Sequence, residues 1–433
     1  MSTTVAGADE VIDLAVTESA AARRQRWSTG GLITALGVVM AVLATSTQGE
    51  ARFALSGYFD AVQLPEVSVP GLPIVIAAAV VCLVAGAVLL VIGARLPGWV
   101  KGLIGAVAGL FVVVGFLGWA VAGRDLPFQL SGQFAGTLAV ATPLVLGAMC
   151  GVLCERSGVV NVAIEGQFLM AAFAASLIGS ITQSIPLALL AAVIASVLTS
   201  GLLAAFAMKF LVNQVVLGVV INLLASGITG FLFDQLVAPR AGDLNSAPLL
   251  QPISIPLLHR IPFLGPVLFE QTILAYLAGI AVVVVWWLIF GTGWGLKVRA
   301  VGEHPEAADT VGINVLAMRW QAVLLGGVFA GLGGAMFTIG QTGAFIKDIT
   351  VGSGFIALAA LIMGRWHPGW AALMAVFFGF VTQLAQQLQS LSTPVPSQFL
   401  LILPYIATII AVAGLIGRVR APAADGVPYQ KAG

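Results

Sequence analysis

Charge is what this chain has least of. Only 9% of its 433 residues are Asp, Glu, Lys or Arg, against about 25% in an ordinary soluble domain. Hydrophobic residues make up 59%, and mean hydropathy is +1.05. This excludes a soluble globular fold and reads as an all-α polytopic membrane protein. The formal net charge is +1, so no bulk attraction to nucleic acid follows. The three histidines, His259, His304 and His367, are isolated in loops, which argues against a metal site. The three cysteines, Cys82, Cys150 and Cys154, all fall in apolar segments and read as small buried hydrophobes, not as a disulfide framework. No loop holds a His/Asp/Ser set, which argues against a membrane enzyme.

What is present is a series of apolar runs near the length of about 20 residues that a membrane helix needs. Twelve spans are expected, at 31–48, 72–93, 102–122, 133–154, 158–180, 185–208, 212–234, 268–290, 318–339, 353–364, 369–388 and 399–417. The tenth is short, so it either starts earlier or is re-entrant. Arg23, Arg24 and Arg26 precede the first run and predict an uncleaved signal-anchor helix. With a cytoplasmic N-terminus, 14 of the 19 basic residues fall inside, as the positive-inside rule requires. Both termini, the 1–28 and 419–433 tails, are then expected to be cytoplasmic in a multi-pass plasma-membrane protein. The 235–267 connection, with Pro239, Pro248, Pro252, Pro256, Pro262 and Pro266, reads as a stiff external surface.

The 291–317 loop is the most polar long segment between spans. Pro305 suits a first helical turn, and Glu303, Glu306 and Asp309 crowd its positive end. Gly312 then stops a helix of about two turns, too short to be stable alone. It is either a solvated connector or an element that docks against something else.

Polar residues fall on or at the end of three spans, the fourth, fifth and seventh. Glu155 and Arg156 sit at the end of the fourth, where an ion pair or snorkelling would lower their cost; with Ser157 and Gly158 they read as a hinge. Asn161 and Glu165 are four apart, so they are expected to share one face of the fifth span, with Gln167 elsewhere on it. Asn213, Gln214 and Asn222 form a second set, in which Gln214 and Asn222 share a stripe of the seventh span. These six residues either line a translocation path or make interhelical hydrogen bonds. Gln383, Gln386, Gln387 and Gln389 either line a vestibule or meet headgroups.

Glu306-Ala307-Ala308, three residues and Gly312 resemble the EAA signature of permease subunits of ABC importers. The wider block RAVGEHPEAADTVGINV resembles the branched-chain amino acid, ribose and nucleoside permeases, the type II-like importers. ERSGVVNVAIEG, with NQVVLGVVINLLASGITGFL at 213–232, is similar to the nucleoside or general simple-sugar branch. The resemblance covers about Gln133 to Arg418 and implies a permease core at 129–418 preceded by additional segments at 29–128. It implies that Glu303, His304, Pro305, Glu306, Ala307, Ala308 and Gly312 form a coupling helix seated in a cytoplasmic ATPase. It further implies a second permease chain, an external substrate-binding lipoprotein, and ATP with Mg held on the ATPase while this chain binds no cofactor. The absence of a G-x-x-x-x-G-K-[ST] phosphate loop agrees with a separate ATPase. The implied solute is a nucleoside, with a simple sugar as the alternative. An ion-coupled carrier would need embedded acids, for which Glu165 is the one candidate. Members of the family often have Met where Gln167 stands.

Overall fold

The structure is a computed structural model that describes residues 19–57, 60, 62–391, 393, 396, 398–400, 402, 406 and 420–430. The expected span at 399–417 therefore lies outside the described residues but for a few positions. Among the described residues ten helices are long and apolar enough to cross a membrane. In chain order the helices are α1 Ala20–Ala44, α2 Gly71–Ile92, α3 Gly98–Val121, α4 Leu130–Arg156, α5 Ile164–Thr182, α6 Ile185–Met208 and α7 Gln214–Leu232. Two short helices follow, α8 Ala241–Leu244 and α9 Leu264–Leu268, then α10 Ile273–Gly291, α11 Gly293–Glu303, α12 Pro305–Thr310, α13 Val315–Phe337, α14 Ser353–Met363 and α15 Pro368–Ser390.

Two compact units result, one from Met1–Arg52 with Ser68–Asp125 and one from Phe53–Val67 with Leu126–Gly433. In the first, α1, α2 and α3 pack on one another around Ile33, Cys82, Leu89 and Ala108. In the second, α4 is the central post: it is buried over most of its length and contacts α10, α13, α14 and α15. Around Phe168, Leu203 and Val323, α5 packs with α6, α7 and α13. The outer face of α7 leaves Val216, Val220, Leu223 and Phe231 exposed, which suits a lipid-facing helix whose backbone polar groups are satisfied internally.

The expected tenth span differs most from an ordinary crossing. α14 has 11 residues, about 16 Å at 1.5 Å per residue, or roughly half the hydrocarbon thickness of about 30 Å. It follows a π-helical turn at Thr338–Thr342 and irregular backbone over 343–352. Gly147 and Gly151 of α4 face Ala357 and Leu361 in order, so α14 runs alongside α4 in the same direction. Irregular backbone at this depth needs internal partners. Asn245 supplies two of them, donating through Nδ2 to Phe345 O at 2.9 Å and accepting from Phe345 N at 2.6 Å. The Ser226 hydroxyl donates to Asp348 at 2.7 Å.

Candidate functional site

The break between α4 and α5 follows from local chemistry. Val159 N donates to Cys154 O at 3.1 Å and Gly158 N to Glu155 O at 3.0 Å, the paired bonds that close a Schellman helix end. This geometry needs Gly158 at φ +86. A side chain there would also meet Arg319 Nη2 at 2.8 Å and Ala424 O at 3.1 Å. Gly158→Ala is accordingly expected to cost about 1–3 kcal/mol from backbone strain alone, read as a lowered unfolding temperature of the purified protein.

Glu155 and Arg156 do not pair with each other. Glu155, 3% exposed, accepts from the Trp366 indole N–H, while Arg156 Nε donates to Trp366 O at 2.9 Å. Consecutive left-handed residues, Arg365 at φ 55 and Trp366 at φ 54, turn the chain after α14 into this grip. The expected salt bridge is thus replaced by a clamp on a residue 210 positions away.

Asn161 lies outside the helix, so it does not share a helical face with Glu165 as the spacing predicts. Its Oδ1 accepts from Ala163 N at 3.1 Å, closing an Asx turn, and α5 begins at Ile164. Asn161 Nδ2 donates to Cys150 Sγ at 3.2 Å and Gln167 Oε1 at 3.2 Å, and Gln167 Nε2 donates to the Ser200 hydroxyl at 3.0 Å. Asn161, Gln167 and Ser200 are fully enclosed, so this network joins α4, α5 and α6 inside the bundle.

The second polar set serves the same break. Gln214 Oε1 accepts from Val160 N at 2.7 Å. Asn222 accepts from Gly166 N at 2.8 Å and donates to Val162 O at 2.9 Å. Both therefore lie on one face of α7, as their spacing predicts, and hold the backbone of the break. Asn213 instead caps α7, accepting from Val215 N at 3.1 Å and Val216 N at 3.2 Å.

Glu165 faces the start of α14. Its Oε1 accepts from the Thr350 hydroxyl at 2.5 Å and Gly352 N at 2.8 Å, and its Oε2 from Gly354 N at 2.6 Å. A carboxylate at a helix N-terminus satisfies orphan N–H groups and complements the helix dipole. Gly354 is required for this approach, since a Cβ there would lie 2.4 Å from Glu165 N.

In the 291–317 loop, the expected single helix is a pair, α11 and α12. Thr292 caps α11, accepting from Gly295 N at 3.0 Å; α12 starts at Pro305, and Gly312 at φ +86 turns the chain after it. His304, Glu306, Ala307 and Val311 are exposed, whereas Ala308 is buried. Residues 420–430 fold back onto this pair, a feature sequence reasoning missed. Ala424 N donates to Gly302 O at 2.9 Å, and Tyr429 sits among Val301, Ala308 and Val315. Burial pushes the Asp425 carboxyl up to about 7 despite the Arg319 guanidinium beside it. Arg319, 1% exposed, donates from Nε to Ser157 O at 3.2 Å and from Nη1 to Val427 O at 3.0 Å. Sequence reasoning counted it only among the 14 basic residues expected inside; its place five residues after Asn314, which caps α13, was the available clue that it lies within the first turns of a packed helix.

At the opposite end of α4, Gln129, Gln383, Gln386 and Gln387 line a cavity of about 340 Å³. Gln389 is exposed and outside that lining.

Comparison with known proteins adds to this geometry. The family described as branched-chain amino acid transport system / permease component matches residues 133–413. The chain is 42% identical over 316 residues, 71% of its length and 99% of the relative's, to the guanosine ABC transporter permease protein NupQ of Bacillus subtilis (strain 168). It is 39% identical over 309 residues, 69% of its length and 96% of the relative's, to the nucleoside ABC transporter permease protein NupC of Lactococcus lactis subsp. cremoris (strain MG1363). It is 24% identical over 305 residues, 67% of its length and 85% of the relative's, to the guanosine ABC transporter permease protein NupP of Bacillus subtilis. No solved structure matches.

Proposed function

Because this chain belongs to the family of branched-chain amino acid transport system permease components, we propose that it is the membrane-spanning subunit of an ATP-driven nucleoside importer. The observation that carries this reading is the 42% identity extending over 99% of a guanosine permease. α12 and Gly312 are the elements that meet a separate cytoplasmic ATPase, which holds ATP and Mg while this chain binds no cofactor. Glu306, Ala307, Thr310 and Gly312 are exposed there, as are His304 and Val311 beside α12. A second, different permease chain completes the pore; the support is that one organism has two guanosine permeases, NupQ and NupP, both similar to this chain. An external substrate-binding lipoprotein delivers the solute. The 14 of 19 basic residues on one side of the expected spans support a plasma-membrane orientation with both termini cytoplasmic.

Transport by alternating access needs two conformations of comparable free energy whose balance the ATPase shifts. The half-helix α14 and the irregular backbone before it resemble in form the broken helices from which transporter paths are built. The glutamine-lined cavity at the other end of α4 offers amide donors and acceptors to a hydroxylated solute. Cells expressing this chain with its ATPase, second permease and lipoprotein are expected to take up labelled guanosine in an ATP-dependent manner. Excess ribose should leave uptake unchanged and excess adenosine should reduce it. Uptake that persists without ATP and collapses with the proton gradient would show an ion-coupled carrier instead.

A further inference from the structure

We infer that residues 421–430 form a positioning strap that ties α12 to the break between α4 and α5, so that a displacement of α12 is delivered to that break. The inference rests on the reading of α12 as the ATPase contact and adds a mechanical part to it, one lying beyond the residues 133–413 that match the family.

The strap is held by α11, by α12 and by the break. On α11, which leads directly into α12, Ala423 N donates to Glu303 Oε2 at 3.2 Å and Ala424 N to Gly302 O at 2.9 Å. Tyr429, 8% exposed, closes an apolar cluster with Val301, Ala308 and Val315. At the break, one guanidinium joins strap to hinge: Arg319 donates to Val427 O and to Ser157 O. Ala424 O faces Gly158, and Val160 Cγ2 lies 3.3 Å from where a side chain on Gly426 would start.

α12 needs such a support. It has six residues, of which Ala308 alone is buried, far short of the roughly 12–15 residues at which an isolated helix becomes even marginal. Ala308 buries little surface itself, whereas a tyrosine ring brings 150–250 Å² or about that much. The Tyr429 ring is thus the large side chain against which Ala308 packs. From Tyr429 the chain runs back through Val427 to Arg319, and from Arg319 to Ser157, by two direct hydrogen bonds. Displacement passes through packed, bonded contacts of this kind.

The test uses the full chain assembled with its ATPase and second permease, in lipid nanodiscs for amide exchange and in proteoliposomes with the lipoprotein for uptake, as wild type, Tyr429→Ala and Tyr429→Phe. Phe keeps the ring that packs on Ala308 and loses only the hydroxyl's hydrogen bond to Asp309, whereas Ala removes both. Tyr429→Ala is expected to speed amide hydrogen exchange at least tenfold at both 305–310 and 158–163. It should also lower guanosine uptake at least tenfold while the complex assembles in normal amount and continues to hydrolyse ATP, and Tyr429→Phe should restore both. Faster exchange at 305–310 alone, or uptake that is unchanged or raised, would overturn the strap. Loss of assembly would overturn it too, because the tail would then be a folding or docking element. The exchange measurement reads the strap whether or not α12 meets the ATPase, a point that substitution at Ala307 tests separately.

Discussion

Glu165→Gln is expected to lower solute uptake roughly ten- to hundredfold, the equivalent of the about 1.5–3 kcal/mol that a hydrogen bond to a charged group contributes. The amount of protein in the membrane should stay the same. The carboxylate accepts from three donors, the Thr350 hydroxyl and the amides of Gly352 and Gly354. An amide side chain accepts through only one atom, so its N–H₂ would point at Gly354 N or at the Gly352 and Thr350 pair, donor against donor. The charge that complements the α14 dipole is lost as well. Glu165→Ala leaves all three donors without this partner and should lower uptake further. Glu165→Asp keeps the charge but is one methylene shorter, and should fall between wild type and Gln. Labelled uptake measured at equal membrane content checks the series. Full uptake by Glu165→Gln would mean that the start of α14 does not depend on this carboxylate.

The series also separates two roles that look alike in the sequence. A residue that touched solute would change the apparent affinity for it. A residue that caps α14 would change the population of transport-competent protein and leave affinity near its original value. The geometry favours the second role, because both oxygens of the Glu165 carboxylate are already engaged by three donors at the start of α14.

The spans were legible because apolar runs of membrane length have few other uses, and Pro305 and Gly312 were legible because helix starts and stops act within one turn of the chain; Asn213, expected on a path or between helices, is a cap of the same local kind that was not read as one. The partners of the polar residues were not. Glu155 and Arg156 invited a pairing with each other since they are adjacent, yet both hold Trp366, and nothing local in either segment marks the other. Asn161 was misplaced for a different reason: its four-residue spacing from Glu165 fits a helix, but an Asn two residues before an available N–H competes with the helix by forming its own turn. Gln214 and Asn222 were correctly placed on one stripe, while what that stripe holds, the backbone of the break, emerges only from packing. Residues 421–430 read as a tail because they lack periodicity. Pro422, Gly426 and Pro428 were turn signals for a compact segment, but where it docks depends on α12 and Arg319 together.

Ala307→Glu is expected to abolish association with the ATPase, and with it ATP-dependent uptake, while insertion, folding and tail docking persist. Ala307 is exposed on α12 next to the buried Ala308, so a charge there meets water in the isolated chain and should change stability by no more than about 0.5 kcal/mol. In a seated complex the same charge would be desolvated without a partner, a loss of about 3–5 kcal/mol, or roughly two to four orders of magnitude in affinity. Ala308→Glu makes the complementary case. Its side chain would enter the cluster of Val301, Val315 and Tyr429, displacing the tail before any partner arrives. Ala307→Glu should therefore show normal amide exchange at 158–163 and no bound ATPase in a pull-down from solubilised membranes. Ala308→Glu should show fast exchange at the same residues. If Ala307→Glu retained ATPase and normal uptake, α12 would not be the surface through which hydrolysis reaches this chain.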